Sequence, residues 1–337
     1  MKIWFDITNT PQVHFLLGIK SMLETGENSF VFSAREFSET AKLLQQKIDE
    51  PFITVGGHYG KSYVKKILGL FYRFIKVYNL KVDFDVSISN GSENAIWTAK
   101  LRGKKSIAFG DNDTARQWTY GYFVDFAFFP DAIDRKLLNK QGLKDSKLFL
   151  YDGYKEDIYI ANYVPDKNFR NQLPFDRYVV VRPENIMANY IRNGTVKSIT
   201  PELLKKLNKA GINVLYLPRY EFDRDYAKGL KNIYIPDVPV NGLDAAFFSA
   251  AVLTGAGTFA REAACLGVPS VSFFAGKKLL AVDRKMIQDK KMYFSRDPGD
   301  IVKYTLKSNK SAPDIQRSKR VYSEVKEKLV EVLNRFN

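Results

Sequence analysis

Short apolar runs, each followed by a stretch of helical spacing, recur along the whole chain, and this alternation restricts the fold more than any other feature. Such runs are the mark of βαβ units, whose strands pair in parallel sheets covered by helices on both faces. In a first series Ile3–Ile7, Ser29–Ser33, Phe52–Val55, Asp85–Ser89, Lys105–Phe109 and Phe126–Phe129 read as strands. Helices are expected over His14–Thr25, from about Ser38 to Lys47, and from Ser92 through Leu101. A second series begins near Arg177, with strands at Tyr178–Val181, Asn213–Leu217, Asn232–Ile235, Ala250–Leu253 and Ser270–Phe273. Its helices are Pro201–Lys209, Phe259–Leu266 and a long closing helix, Asp314–Phe336. The expected fold is α/β, with two Rossmann-like domains whose parallel sheets face an interdomain cleft. Residues 1–160 would form the first and 177–312 the second, with a linker near 150–176 and a C-terminal helix, 313–337, placed to cross back to the first.

A length of 337 residues suits two domains of about 150 residues each, and 45% hydrophobic residues lets each bury a core. The balance is basic, with 52 Lys+Arg against 37 Asp+Glu. It points either to a polyanionic partner (nucleic acid, an anionic membrane or phosphorylated substrates) or to a basic surface that is only solvated. Cys265 is the single cysteine, which excludes a disulfide framework and a Cys-based metal site. His14 and His58 are the only histidines, which excludes His-rich metal centres. The first residues run straight into a strand without a signal peptide, and no stretch reaches the roughly 18 apolar residues needed to span a bilayer. The expected location is cytoplasmic, with peripheral membrane association left open.

In Val252-Leu253-Thr254-Gly255-Ala256-Gly257-Thr258-Phe259 a strand ends in a Gly-rich turn that opens a helix. Small residues there let backbone N–H groups approach an anion, and the helix N-terminus adds a favourable partial charge. The C-terminal end of a parallel strand is where α/β folds bind nucleotides. Glu262, four residues after Thr258, can accept two hydrogen bonds from ribose hydroxyls. The same residues would also suit a plain strand–helix connection, with Glu262 serving only the helix dipole.

The continuation Glu262-Ala263-Ala264-Cys265-Leu266-Gly267-Val268-Pro269-Ser270 resembles the donor-site helix of GT-B glycosyltransferases and of non-hydrolysing UDP-N-acetylglucosamine 2-epimerases. Further segments are Met1–Pro11, Val13-His14-Phe15, Gly153-Tyr154-Lys155-Glu156, Leu217-Pro218-Arg219 and Gly257–Ala264. Together these resemble an uncharacterised, largely archaeal family of the GT-B superfamily. The resemblance implies the fold and a nucleotide diphosphate-sugar donor, held by the Gly-rich turn and by Glu262. Ala256 departs from the consecutive glycines of that pattern, which alanine tolerates if its φ is negative.

Arg182-Pro183-Glu184-Asn185 resembles the Arg-x-Glu-Asn stretch beside the donor diphosphate of the epimerases. Arg182 and Arg219, at strand C-termini, would clamp a diphosphate bidentately, or would pair with carboxylates such as Glu184 or Glu221. In the first domain His14 begins a helix beside the first strand's turn, where a neutral imidazole can serve as base or merely pack. Asp111 and Asp113 end a strand, and either can deprotonate an acceptor hydroxyl or cap the next helix. Thr8, Asn9, Asn90 and Ser92 are candidates for the acceptor side of the cleft. The epimerases begin their second domain with a histidine; Val181 precedes Arg182 here, which argues against epimerase chemistry.

Gly60–Lys81 places Ile67, Leu68, Phe71, Phe74, Ile75 and Tyr78 at helical spacing among Lys61, Lys65, Lys66, Arg73, Lys76 and Lys81. Such a helix either lies in an anionic membrane interface or turns its apolar stripe to the sheet and its cations to water. No nucleic-acid motif accompanies the charge. The sequence reading is therefore a metal-independent GT-B glycosyltransferase without a cofactor, using a nucleotide sugar, most simply UDP-linked, and a glycan or lipid-linked acceptor. Its donor residues are Arg182, Asn185, Arg219, Gly255, Gly257, Thr258 and Glu262. The alternatives are a 2-epimerase-like isomerase and a non-catalytic membrane- or polyanion-binding protein of the same fold.

Overall fold

The computed structural model describes residues 1–24, 27–35, 40–57, 63–186 and 197–336, with side chains for all of these except 42 and 63–67. The chain divides into two compact units, one of Met1–Ala161 with Lys319–Asn337 and one of Asn162–Ser318. Unit 1 contains strands β1 (Lys2–Ile7), β2 (Ser29–Ala34), β3 (Phe52–Thr54), β4 (Val86–Ser89), β5 (Lys105–Phe109), β6 (Phe126–Pro130) and β7 (Leu148–Tyr151). Between them run helices α1 (Pro11–Leu23), α2 (Thr40–Gln45), α3 (Tyr63–Tyr78), α4 (Glu93–Leu101), α5 (Trp118–Gly121) and α6 (Arg135–Lys140), with α7 (Lys155–Ile160) after the last. Unit 2 has strands β8 (Val179–Arg182), β9 (Val214–Tyr216), β10 (Ile233–Tyr234), β11 (Val252–Thr254), β12 (Ser270–Ser272) and β13 (Tyr293–Phe294). Its helices are α8 (Thr200–Lys209), α9 (Gly242–Phe248), α10 (Gly257–Cys265), α11 (Ala281–Gln288) and α12 (Pro298–Lys307). The last helix, α13 (Ile315–Asn334), continues into unit 1 from Lys319 onward.

Both sheets are parallel, in the orders β3-β2-β1-β4-β5-β6-β7 and β10-β9-β8-β11-β12-β13. In each the chain winds outward from its first strand and then returns to that strand's other side. The order reverses between β1 and β4 in unit 1 and between β8 and β11 in unit 2. Connections diverge there, and the C-terminal ends of these two strand pairs are left open to a ligand.

Three differences from the sequence pattern have physical reasons. The stretch 150–176, expected as a linker, carries the end of β7, all of α7 and a short helical turn, Lys167–Gln172. Phe126–Phe129 therefore does not close the first half, because β7 pairs on its outer side. In unit 2, β13 has only Tyr293 and Phe294 in its ladder, too few for an apolar run to register.

The third difference is the orientation of α3. Arg73, expected among solvated cations, is only 3% exposed and donates through both Nη atoms to Asp6, at 3.1 and 2.7 Å. Asp6 is fully buried in β1 and also accepts from Ser33 Oγ at 2.7 Å and Ser92 Oγ at 2.5 Å. Ser33 in turn accepts from the Trp4 indole at 2.9 Å. Each charge is thus answered, the condition under which a buried ion pair is tolerated. The pair turns Val77 onto Trp4, Phe84 and Ala95, with Phe74 edge-on to Trp97 at 5.7 Å. The other face, including Leu68 and Phe71, is left outside. Of the two orientations that the spacing left open, burial of the apolar stripe does not hold for its described residues other than Phe74; Ile67 lies outside the described side chains.

Replacing Arg73 by Met should lower unfolding free energy by about 3–5 kcal/mol in urea titrations, because Asp6 then remains buried without its cation. Adding Asp6→Asn should restore part of that loss. Equal stability of parent and Arg73→Met would show that the pair does not hold α3.

Candidate functional site

At the open edge of unit 2, β11 ends at Thr254 beside Arg182 of β8. The turn is built from close approach. A Cβ on Gly255 would stand 2.5 Å from Glu184 Cα and 2.8 Å from its nitrogen, so only glycine passes there. Two N–H groups expected to face an anion are used inside the turn. Gly255 N donates to Arg182 O at 3.1 Å, and Ala256 N to Thr254 Oγ1 at 2.9 Å. Gly255 is thus a packing residue, and the N–H groups that the turn does not use begin at Gly257. Ala256 is the N-cap of α10, with φ −102, so its side chain is accommodated without strain. No described side chain caps the helix, whose first intrahelical bond runs from Ala260 N to Ala256 O. The N–H groups of Gly257, Thr258 and Phe259 therefore form the donor set at this helix start.

The surrounding side chains are fixed by buried partners. Arg261, 2% exposed, pairs with Asp283 at 2.8 Å and reaches Thr258 Oγ1 at 3.3 Å. Arg261 orients the Thr258 hydroxyl, a role invisible without the distant Asp283. Glu184 is buried among Ser198 Oγ (2.6 Å), Ile199 N (3.1 Å), Thr200 Oγ1 (2.9 Å) and Arg296 (3.2 Å), which ties β8 to the start of α8. Arg219 Nε donates to Pro183 O at 3.0 Å, and Asn185 Oδ1 accepts from Tyr220 at 2.7 Å. Arg182, Asn185 and Arg219 are half-buried at one sheet edge, and Glu262 is half-buried within the second turn of α10.

At the open edge of unit 1, Thr8 donates through N and Oγ1 to Gln12 Oε1 at 2.8 and 3.0 Å, while Asn9 is exposed. Gln12 Nε2 reaches Asn90 O at 3.4 Å and so links the two loops of the strand reversal. Gly91 turns the chain with φ +67, under the Tyr120 hydroxyl. Ser92 does not line the edge as expected: it is 3% exposed, donates to Asp6 and accepts from Ala95 N as N-cap of α4. Asp111 and Asp113 do not cap the next helix, whose N-cap is Gln117. Asp111 instead pairs with Lys155 Nζ at 2.8 Å, both nearly buried, with Lys155 5.7 Å from the Phe15 ring centre. A cation at the first position of α7 opposes that helix's dipole, and the Asp111 carboxylate offsets it. His14 is half-buried and stacks on Tyr159 of α7 at 6.3 Å. The structure thus brings His14, Asp111 and Lys155 around α1, β5 and α7; His58 lies outside the described residues. Lys155 was readable only as part of Gly153-Tyr154-Lys155-Glu156.

Glu93, the first residue of α4, is a further carboxylate that sequence reasoning missed. Burial holds its pKa above the ordinary 4.5, with the Asp6 charge adding, while the Thr119 hydroxyl and Arg73 act in the opposite sense. Burial also raises the Tyr120 phenol, helped by Glu93 and Asp111.

A family model described as Protein of unknown function (DUF354) matches residues 1–335. The chain belongs to that family. An uncharacterized protein of Methanocaldococcus jannaschii is 25% identical over 324 residues, covering 90% of each chain. Among solved structures, the UDP-GlcNAc 2-epimerase of the same organism, in complex with UDP-GlcNAc and UDP, has a TM-score of 0.69 at 15% identity, over 96% of this chain and 99% of that one. The UDP-N-acetylglucosamine 2-epimerase of Rickettsia bellii gives 0.69 at 12%, over 100% and 98%. The glycotransferase of kitacinnamycin gives 0.61 at 10%, over 99% and 98%. The two parallel α/β sheets of this DUF354 chain match the fold of these structures, the GT-B-like fold that its sequence segments implied.

The raised Glu93 carboxyl predicts a pH signature. Well below pH 4.5 the group is protonated in both states and its contribution is fully present. As pH climbs from the ordinary value through the raised one, the unfolded chain ionises first and the folded state loses that contribution. Glu93→Gln should therefore gain thermal stability over the parent toward neutral pH, and the gain should vanish in acid. A difference independent of pH would contradict the burial of this carboxyl.

Proposed function

We propose that the chain is a GT-B glycosyltransferase that moves a sugar from a nucleotide diphosphate donor, UDP-linked in the simplest case, to a hydroxyl of a glycan or lipid-linked acceptor. The observation that carries this reading is the start of α10, which no described side chain caps, at the strand reversal of unit 2, on the same sheet edge as Arg182, Asn185 and Arg219. The N–H groups of Gly257, Thr258 and Phe259 would bind diphosphate oxygens, and the arginines would neutralise charge as the sugar–phosphate bond breaks. Glu262 would accept hydrogen bonds from the ribose. No metal or cofactor enters this scheme.

Acceptor-side chemistry is assigned to unit 1. His14 or Asp111 would take the proton of the acceptor hydroxyl as its oxygen bonds to the anomeric carbon, and the nucleotide diphosphate leaves with the bonding electrons. Lys155 would position Asp111, while Asp113, Thr8, Asn9 and Asn90 complete the polar set. The similarity in fold to UDP-GlcNAc 2-epimerases favours isomerase chemistry as the second reading. Against it stands Val181, where the epimerases' second domain begins with a histidine.

UDP at about 100 times its Kd should raise the melting temperature by roughly 5–10 °C, from ~2.7 kcal/mol of linkage. Glu262→Ala should lose most of that rise for UDP and keep it for inorganic diphosphate. Incubation with UDP-N-acetylglucosamine alone should leave the sugar unchanged; formation of the 2-epimer without an acceptor would replace the transferase reading with the isomerase one. No response to any nucleotide sugar would leave only a binding protein.

A further inference from the structure

We propose that the buried pair of Arg261 and Asp283 fixes the Thr258 hydroxyl as a hydrogen-bond donor to a phosphate oxygen, which makes both charged residues positioning residues of the anion site in unit 2. The inference rests on the reading of that edge as a nucleotide diphosphate site and adds to it the side chains that decide what the threonine can bind.

The pair lies directly beneath the first turn of α10. A Cβ on Gly257 would stand 3.1 Å from Arg261 Nη1 and 3.7 Å from Asp283 Oδ2. Gly257 is not among the glycines with positive φ, so what it supplies is room for the guanidinium rather than backbone freedom. Arg261 and Asp283 are each 2% exposed and bonded at 2.8 Å, the carboxylate coming from the first turn of α11. A buried ion pair adds little stability by itself, because taking both charges out of water costs about as much as their attraction returns. Here one member makes a second bond, from Arg261 Nη2 to Thr258 Oγ1 at 3.3 Å.

The direction of that bond follows from the guanidinium, which has only N–H donors and no acceptor. Thr258 Oγ1 therefore accepts from Arg261, and its own proton points elsewhere. No other hydrogen bond ties this hydroxyl among the described residues, so the proton is not spent on a carbonyl of the preceding turn, a common fate of threonine in helices. Thr258 is half-buried at the second position of α10, between Gly257 and Phe259. Its O–H joins their N–H groups in a set made only of donors. A phosphate oxygen, which only accepts, is the complement of such a set. Without the pair the hydroxyl can turn among three staggered positions and donate back to the helix. Asp283 holds Arg261 in place, so the setting of α11 against α10 reaches the anion through this one hydroxyl.

The test is a double-mutant cycle on UDP affinity, measured by titration calorimetry of the full chain. One arm is Thr258→Val, which removes the hydroxyl and keeps the branched shape. The other is Arg261→Met with Asp283→Asn, which removes both charges together so that neither stays buried alone. Thr258→Val should weaken UDP roughly 10- to 100-fold, the range for a hydrogen bond to a charged group. Replacing the pair should weaken UDP at least about threefold beside threonine, since one of three hydroxyl positions is no longer selected. Beside valine it should change nothing. Thr258→Ser should recover part of the valine loss, and less of it without the pair. Asp283→Asn alone repeats the cycle if the double replacement does not fold. A pair that serves only the fold would weaken UDP by the same factor beside valine as beside threonine. Equal factors overturn the proposal and leave the donor reading standing, as does unchanged affinity when the pair is replaced beside threonine. A parent that does not bind UDP removes the donor reading and this inference together.

Discussion

Parallel strands joined by helices bring all their C-terminal ends to one edge, and a sheet wound outward in both directions from its first strand must part its connections there. Both units obey this constraint, between β1 and β4 and between β8 and β11. It places Thr8, Asn9 and Asn90 together in one unit, and Arg182 beside Gly255 in the other. Neither grouping depends on side-chain preference; both follow from the winding.

Chemistry differs sharply between the two edges. In unit 2 polar groups not consumed by the turn belong largely to the backbone at the start of α10, with Arg261 and Glu184 buried beneath as supports. That arrangement suits an anion, because the helix start is electropositive and already held in place. In unit 1 the charged groups come in opposed pairs, Asp6 with Arg73 and Asp111 with Lys155. The first pair is sealed by Ser33 and Ser92 and serves the fold. Its neighbour Glu93 accepts from the Thr119 hydroxyl, and burial keeps its proton affinity raised although Arg73 acts in the opposite sense.

Much of this was legible in the sequence because parallel strands are buried on both faces and read as unbroken apolar runs, as Lys105–Phe109 does after its first residue. The Gly255–Thr258 turn was legible as a strand-to-helix connection. Its internal bookkeeping was not, since Gly255 N is spent on Arg182 O, contributed by a strand 73 positions earlier in the chain (255 − 182). The same limit hid the orientation of α3. Apolar residues occur on both of its faces, and only Asp6, 67 residues away, decides that Arg73 goes inside. Ser92 looked like a cleft hydroxyl for the same reason, because its acceptor is 86 residues distant. Local spacing specifies elements; long-range polar partners specify which face of an element does the work.

The assignment of unit 2's edge as a nucleotide diphosphate site can be examined at single atoms. Amide hydrogen exchange resolved by residue, with and without saturating UDP, reads the N–H groups at the start of α10 directly. Slowed exchange at Gly257, Thr258 and Phe259, with Gly255 and Ala256 already slow without ligand, is the predicted result. Unchanged exchange at those three positions while UDP protects amides elsewhere would contradict it.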